Sequence, residues 1–154
     1  MSDIVSPTAR SRMMSGIRGK NSLPEILVRR LLFASGFRFR LHRRDLPGTP
    51  DIVMPGRKIA IFVHGCFWHA HRGCRYATTP STRTDFWTTK LRANVDRDQR
   101  AIAELASRGW RVLCVWECAT RDPKTRESLR SRIVAWIEAD SPYEEIGGPP
   151  VSPS

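Results

Sequence analysis

Hydrophobic and polar positions along the chain fall into segments of two periods, one near 3.6 residues and one of two. Ser22 followed by Glu25 makes a capping-box pattern, and Pro24 suits a first helical turn. Ile26, Leu27 and Arg30 to Phe33 continue up to Gly36, so a helix is predicted over about 23–35. Phe37, Phe39 and Leu41 then alternate with Arg38, Arg40 and His42, the period of a half-buried strand with a basic outer face. Asp45-Leu46-Pro47-Gly48 is a turn, Ile52-Val53-Met54 a short strand and Pro55-Gly56 a hairpin turn. Lys58 to His64 is a mostly apolar strand of central-sheet character. A loop rich in His, Cys, Thr and Arg follows from Gly65 to about Thr84. Thr84 and Asp85 are placed to cap a long helix whose Leu91, Val95, Ile102 and Leu105 form an apolar stripe ending before Gly109. Trp110 to Trp116 is another buried strand. Asp122-Pro123 supplies the N-cap and first position of a final helix carrying Leu129, Ile133, Trp136 and Ile137. The order α-β-β-β-α-β-α predicts an α/β fold.

Composition narrows the partner. With 154 residues and 17.6 kDa the chain suits one domain with a real core. Twenty-six Lys and Arg against fifteen Asp and Glu give a net charge of +11 and a pI near 10.7, which points to a polyanion. Five Trp, six Phe and several aliphatic runs supply the apolar surface that disordered chains lack. The longest unbroken apolar run, Ile59 to Val63, is far short of the roughly 20 residues of a membrane span, so no membrane partner is expected. The first twenty residues lack an apolar signal core, which predicts a reducing cytoplasm, where four cysteines suggest a metal before disulfides. The charge is uneven: ten Lys or Arg and one acid lie between Arg10 and Arg44, whereas Asp140 to Ser154 holds three acids, no base and four prolines. The predicted organisation is a basic N-terminal arm over 1–20, a folded domain over 21–139 and a disordered tail over 140–154.

Three groups of residues carry candidate chemistry. Cys66, His71 and Cys74 lie in one loop, and Cys118 follows at the end of a later strand. Three thiolates and an imidazole suit a closed tetrahedral Zn²⁺ of structural kind, the alternative being unrelated buried cysteines. Cys114, inside the strand, fits a small core residue. Asp51 heads a strand, with Glu25 before it and His64 and His69 after the next strand. A carboxylate to hold a hard cation, with imidazoles of neutral-range acidity nearby, suits phosphodiester hydrolysis. Against this, Pro50-Asp51 alone suits a solvated turn, and either His suits a structural role or the zinc set in place of His71. Phe67 and Trp68, joined by Phe86 and Trp87, are candidates for stacking on bases or wedging between them, the alternative being rings that cap the core.

Pro50-Asp51, Ile61 to His69, Thr82 to Trp87, Asn94 to Asp98 and Gly109 to Cys118, in this order, closely resemble the very-short-patch repair (Vsr) endonucleases over about residues 8–138. The resemblance implies a restriction-endonuclease-like mixed central sheet flanked by helices, with a structural zinc site. It also implies an Mg²⁺-dependent, strand-specific nick 5′ of the thymine in T:G mismatches left by deamination of 5-methylcytosine. Carried over by position, Asp51 and the backbone carbonyl of Val63 would hold Mg²⁺, with His69 as general base. Glu25 and His64 would support water and phosphate, and Cys66, His71, Cys74 and Cys118 would hold Zn²⁺. Phe67, Trp68 and Trp87 would enter the mismatch from one groove, while the arm, through Arg12, Met14, Arg18 and Lys20, wraps the other. A bacterial, nucleoid-associated protein acting on double-stranded DNA, with other repair proteins as partners, is what the family implies, and a monomer is expected because the sequence shows no obvious dimerisation stripe. Val63 stands where the family often has Thr, which a carbonyl ligand tolerates, and the loop from Ala70 to Cys74 is one residue longer than the family form. The competing expectations are a non-catalytic zinc-stabilised DNA-binding module and a restriction-type endonuclease acting on paired DNA.

Overall fold

The computed structural model describes residues 22–74, 76–77 and 80–148. Helix α1 spans Leu23–Ala34. The Ser22 hydroxyl accepts from the Glu25 N–H (3.4 Å), Pro24 sits in the first turn, and Gly36 at φ +90° turns the chain out. Strand β1 is Arg40–Leu41, β2 is Ile52–Met54 and β3 is Ile59–His64, with a 3-10 turn over Pro55–Arg57 between the last two. Helix α2 spans Thr84–Ser107, β4 Arg111–Trp116, α3 Glu117–Arg121, α4 Pro123–Glu138 and β5 Tyr143–Ile146.

These strands form one mixed sheet in the order β1-β2-β3-β4-β5. β1, β2 and β3 pair antiparallel, whereas β3, β4 and β5 run parallel, so Ile61 sits between Ile52 and Leu113. Alternate side chains divide the core between the two faces. Ile59, Ile61, Leu113 and Val115 pack with Val28 and Leu32 of α1 and with Leu129, Ile133 and Ile137 of α4. Ala60, Phe62 and Val112 pack on the other face with Leu105 of α2. The helices thus cover both faces and leave the C-terminal ends of the parallel strands for other use.

Several expectations are corrected. β1 holds two residues where the alternation from Phe37 to His42 predicts six, because an edge strand is no longer than the partner that pairs it and β2 has three. Phe37 and Phe39 still pack against the core, but as approach to the strand. Thr84 and Asp85 do not cap α2: Arg83, at φ +54°, is the N-cap residue, and the Thr84 hydroxyl donates back to the Pro80 and Ser81 carbonyls. The segment expected to be a disordered tail from Asp140 instead provides β5, with Ile146 buried and parallel pairing to β4. Arg111 fixes that return. Its guanidinium donates to the carbonyls of Trp136 (2.7 Å) and Ile137 (3.1 Å) in the last turn of α4 and to that of Ser141 (2.9 Å) just beyond it. The arm over 1–20, with Arg12, Met14, Arg18 and Lys20, lies outside the described residues.

Candidate active site and metal centre

β3 ends at the centre of the site, and two of its consecutive residues organise it. Asp51, just ahead of β2, is buried, and its Oδ2 accepts from the Val63 N–H (2.7 Å). Burial pushes the Asp51 carboxyl up to about 8; the Val63 hydrogen bond opposes this, as does the charge of Arg29, while that of Glu25 adds to it. Glu25 points from α1 into the same place, 1% exposed. Its Oε2 takes hydrogen bonds from Arg29, one turn along the helix, and from His42 Nε2 at 2.7 Å. Donor atoms of Glu25, His42 and Asp51 all lie within 4.8 Å of one another.

His64, next after Val63, turns to the α2 face. Its ring stacks on that of His69, with centroids 3.9 Å apart and planes within 4°, and its Nδ1 lies 3.2 Å from the Cys114 sulfur. Burial first, then the charges of His69 and His71, hold His64 far below its ordinary value, so this ring is neutral at pH 7. His69 Nδ1 is 2.5 Å from Asp98 Oδ2 on α2. Beside this pair opens a cleft of about 580 Å³ whose lining includes Trp116, Tyr143 and Glu145. The Trp116 indole N–H donates to Glu145 Oε1 (2.8 Å), so β5 builds one wall.

The four predicted sulfur and nitrogen donors also converge. Cys66, His71, Cys74 and Cys118 present donor atoms all within 4.8 Å of one another, and His71 Nδ1 lies 3.6 Å from the Cys66 sulfur and 3.4 Å from that of Cys118. Tetrahedral bonds of about 2.3 Å to sulfur and 2.0 Å to nitrogen put such donors about 3.5 Å apart, so the set fits a soft tetrahedral dication. The Cys118 N–H donates to the Cys66 sulfur (3.3 Å) and the Gly148 N–H to the Cys118 sulfur (3.1 Å), the kind of outer bonds that steady thiolate ligands. The hydrogen bond shared with Cys66 holds Cys118 down to about 5, while that bond and burial push Cys66 up. His71 is stacked on Trp116 (4.0 Å, 6°), and a Cβ at Gly147 would come within 3.0 Å of its ring, so the backbone must pass here without a side chain. Cys114 is buried in β4, as its position in the strand predicts.

The candidate wedge residues meet at the N-terminal end of α2. Phe67, Trp68 and Trp87 are mutual neighbours with ring centroids 5.0, 5.4 and 6.0 Å apart, and Phe86 lies 5.3 Å from Trp87 under the Arg83 guanidinium. The Asn94 amide donates to the Trp68 carbonyl (2.9 Å) and fixes the loop that carries two of the rings.

Sequence reasoning missed two residues. Asp98 occupies a position of the stripe Leu91, Val95, Ile102, Leu105 where an apolar residue belongs, and that break in the pattern was its signal. The alternation of residues 37–42 places His42 on a basic strand face, but its backbone at φ +49° turns it toward Glu25 instead.

The chain is similar to several known proteins. A family model described as DNA mismatch endonuclease Vsr matches residues 2–75. The type II nicking enzyme V.XorIIP of Xanthomonas oryzae pv. oryzae is 55% identical over 122 residues, 79% of this chain and 89% of that protein. The DNA mismatch endonuclease Vsr of Escherichia coli is 42% identical over 148 residues, 95% of this chain and 94% of that protein. The type II nicking enzyme V.NmeAIP of Neisseria meningitidis is 38% identical over 138 residues, covering 90% and 98%.

Proposed function

The chain belongs to the Vsr family of DNA mismatch endonucleases and is an endonuclease, and from that premise we propose that it uses Mg²⁺ to nick one strand of duplex DNA 5′ of the thymine in a T:G mismatch. The observation that carries this reading is the continuity of the site through Val63 and His64. The first donates its N–H to the Asp51 carboxylate and the second stacks on His69, so consecutive residues at the end of β3 touch the group that would hold the cation and the one that would accept the proton.

Asp51 and the Val63 carbonyl would hold the cation, with Glu25 beside them; when bound, Mg²⁺ supplies a Lewis acid for the phosphate and a water of lowered pKa. Asp98 fixes the proton of His69 on Nδ1, which makes Nε2 the nitrogen that takes the proton of the attacking water. His64, kept neutral by burial, stops the His69 ring from rotating and adds no charge to repel a cation. Zn²⁺ held by Cys66, His71, Cys74 and Cys118 would have no open coordination position, and its work is to pin the loop bearing Phe67, Trp68 and His69 to the end of β4. Phe67, Trp68 and Trp87 suit insertion at a mismatch, where unstacking costs less than at a matched step. The arm residues Arg12, Met14, Arg18 and Lys20 would contact the opposite groove, and the protein works as a monomer.

Relatives named nicking enzymes favour a single-strand cut over a double-strand one. The test is a nicking assay on end-labelled duplexes, one with a T:G mismatch in varied flanking sequence and one fully paired, with and without added Mg²⁺. A nick confined to the thymine strand and dependent on the cation is the expected result. Equal cutting of paired DNA, or cutting that persists without a divalent cation, refutes the reading.

A further inference from the structure

Among the described residues, His42 offers a donor atom at the cation site that the reading above does not employ. It comes from a third element: Glu25 lies on α1, Asp51 precedes β2, and His42 follows β1. The His42 N–H donates to the Asp51 carbonyl (3.1 Å), which ties the two backbones together, and the His42 side chain is 19% exposed. Its Nε2 lies 2.7 Å from Glu25 Oε2, and the three donor atoms fall within 4.8 Å of one another. Two ligands bound at about 2.1 Å in neighbouring octahedral positions are about 3 Å apart, so the His42–Glu25 pair already has the spacing of a shared metal. Arg29 binds the same Glu25 oxygen and keeps the carboxylate in place as the imidazole turns from it. With the ring proton on Nδ1, the imidazole offers its Nε2 lone pair to a cation.

We infer that Glu25, His42 and Asp51 form a mixed oxygen and nitrogen cation site that prefers a first-row transition-metal dication such as Mn²⁺ to Mg²⁺. The inference rests on the assignment of Asp51 to the catalytic cation and adds a ligand and a metal preference to it. Mg²⁺ takes oxygen donors and water almost exclusively, so an imidazole gives it little, whereas transition metals gain from nitrogen. Mg²⁺ still supports the reaction at higher concentration through Asp51 and its waters.

The experiment uses the full chain with its zinc retained. Mn²⁺ binding is followed by electron paramagnetic resonance, Mg²⁺ binding by its competition with Mn²⁺, and nitrogen ligation by electron spin-echo modulation of the bound Mn²⁺. A Kd for Mn²⁺ at least about tenfold below that for Mg²⁺ is expected, with modulation from a directly bound ¹⁴N that changes on ¹⁵N-histidine labelling. His42→Gln should remove the modulation and weaken Mn²⁺ about tenfold while shifting Mg²⁺ less than twofold; His69→Gln should leave the modulation intact. Absence of nitrogen coupling in the wild-type protein, or of Mn²⁺ binding, overturns the inference without reference to any variant. So does coupling that survives His42→Gln or disappears in His69→Gln, which would assign it to the His64, His69 and Asp98 group. Nicking assayed on the same samples separates the two readings: a T:G nick without nitrogen coupling removes only this inference, and nitrogen coupling without a nick removes only the proposed function.

Discussion

Asp51→Asn separates what the buried carboxylate does for catalysis from what it costs the fold. With its carboxyl raised to about 8 in the folded protein and near 3.9 in the unfolded chain, Asp51 favours folding only while it is protonated. Its stabilising effect is complete below about pH 4 and is lost as pH rises toward 8. At pH 7 the unfolded chain gains about three pH units of ionisation free energy that the folded state does not, or about 4 kcal/mol at 1.36 kcal/mol per unit. Asn keeps the shape and an oxygen for the Val63 N–H and does not ionise, so the variant should exceed the wild type by about 2–4 kcal/mol at pH 7.5 without Mg²⁺, and by little at pH 4. The assay is urea unfolding followed by circular dichroism at both pH values, on zinc-loaded protein. Adding Mg²⁺ to about 100 times its Kd should raise the wild type by about 2.7 kcal/mol and leave the variant unchanged. Nicking should fall below detection in the variant. A variant less stable than the wild type at pH 7.5, or a gap that does not change with pH, would refute the argument that burial strains this carboxylate for a cation.

Asp98→Asn should lower the single-turnover nicking rate by about 10²-fold with DNA affinity changed less than twofold, because only the tautomer and aim of His69 are lost. Cys118→Ser should release the bound metal, seen by a chromophoric chelator, and lower the thermal midpoint by about 10 °C, roughly 3 kcal/mol for a chain of this size. Trp87→Ala, read by equilibrium binding to a T:G duplex, should cost about 1–3 kcal/mol of affinity and spare the thermal midpoint, since its ring neighbours are the other wedge residues. Ile146→Ala should destabilise by about 2–4 kcal/mol in urea unfolding, because a fully buried side chain of β5 is truncated; a surface-like effect below 0.5 kcal/mol would contradict the packing of that strand.

Much of this molecule is written locally. The capping pattern at Ser22, the apolar strand at Ile59–His64, the stripe on α2 and the Asp122-Pro123 start of α4 each depend on residues within one or two turns, so the period of the sequence shows them directly. The donor set Cys66, His71, Cys74 and Cys118 and the rings Phe67, Trp68 and Trp87 were legible for another reason: residue types so restricted in chemistry, most of them gathered in one loop, have few other uses. Asp51 and His69 were legible as types, but the hydrogen bond that ties Asp51 to Val63, one residue before the His64 that stacks on His69, depends on the register of β2 against β3.

Only the tertiary structure decided the rest. β5 forms from Tyr143–Ile146, a charged stretch with one aliphatic residue, because the edge of β4 and the Arg111 clasp on α4 stand ready to receive it; nothing within the stretch has that information. Asp98 and His42 acquire their places by hydrogen bonds to residues 29 and 17 positions away. Sequence periodicity reports which face of an element a side chain occupies, and only the packing of distant elements decides which groups that face meets. In this chain it is that packing which brings two carboxylates and an imidazole to one end of β3.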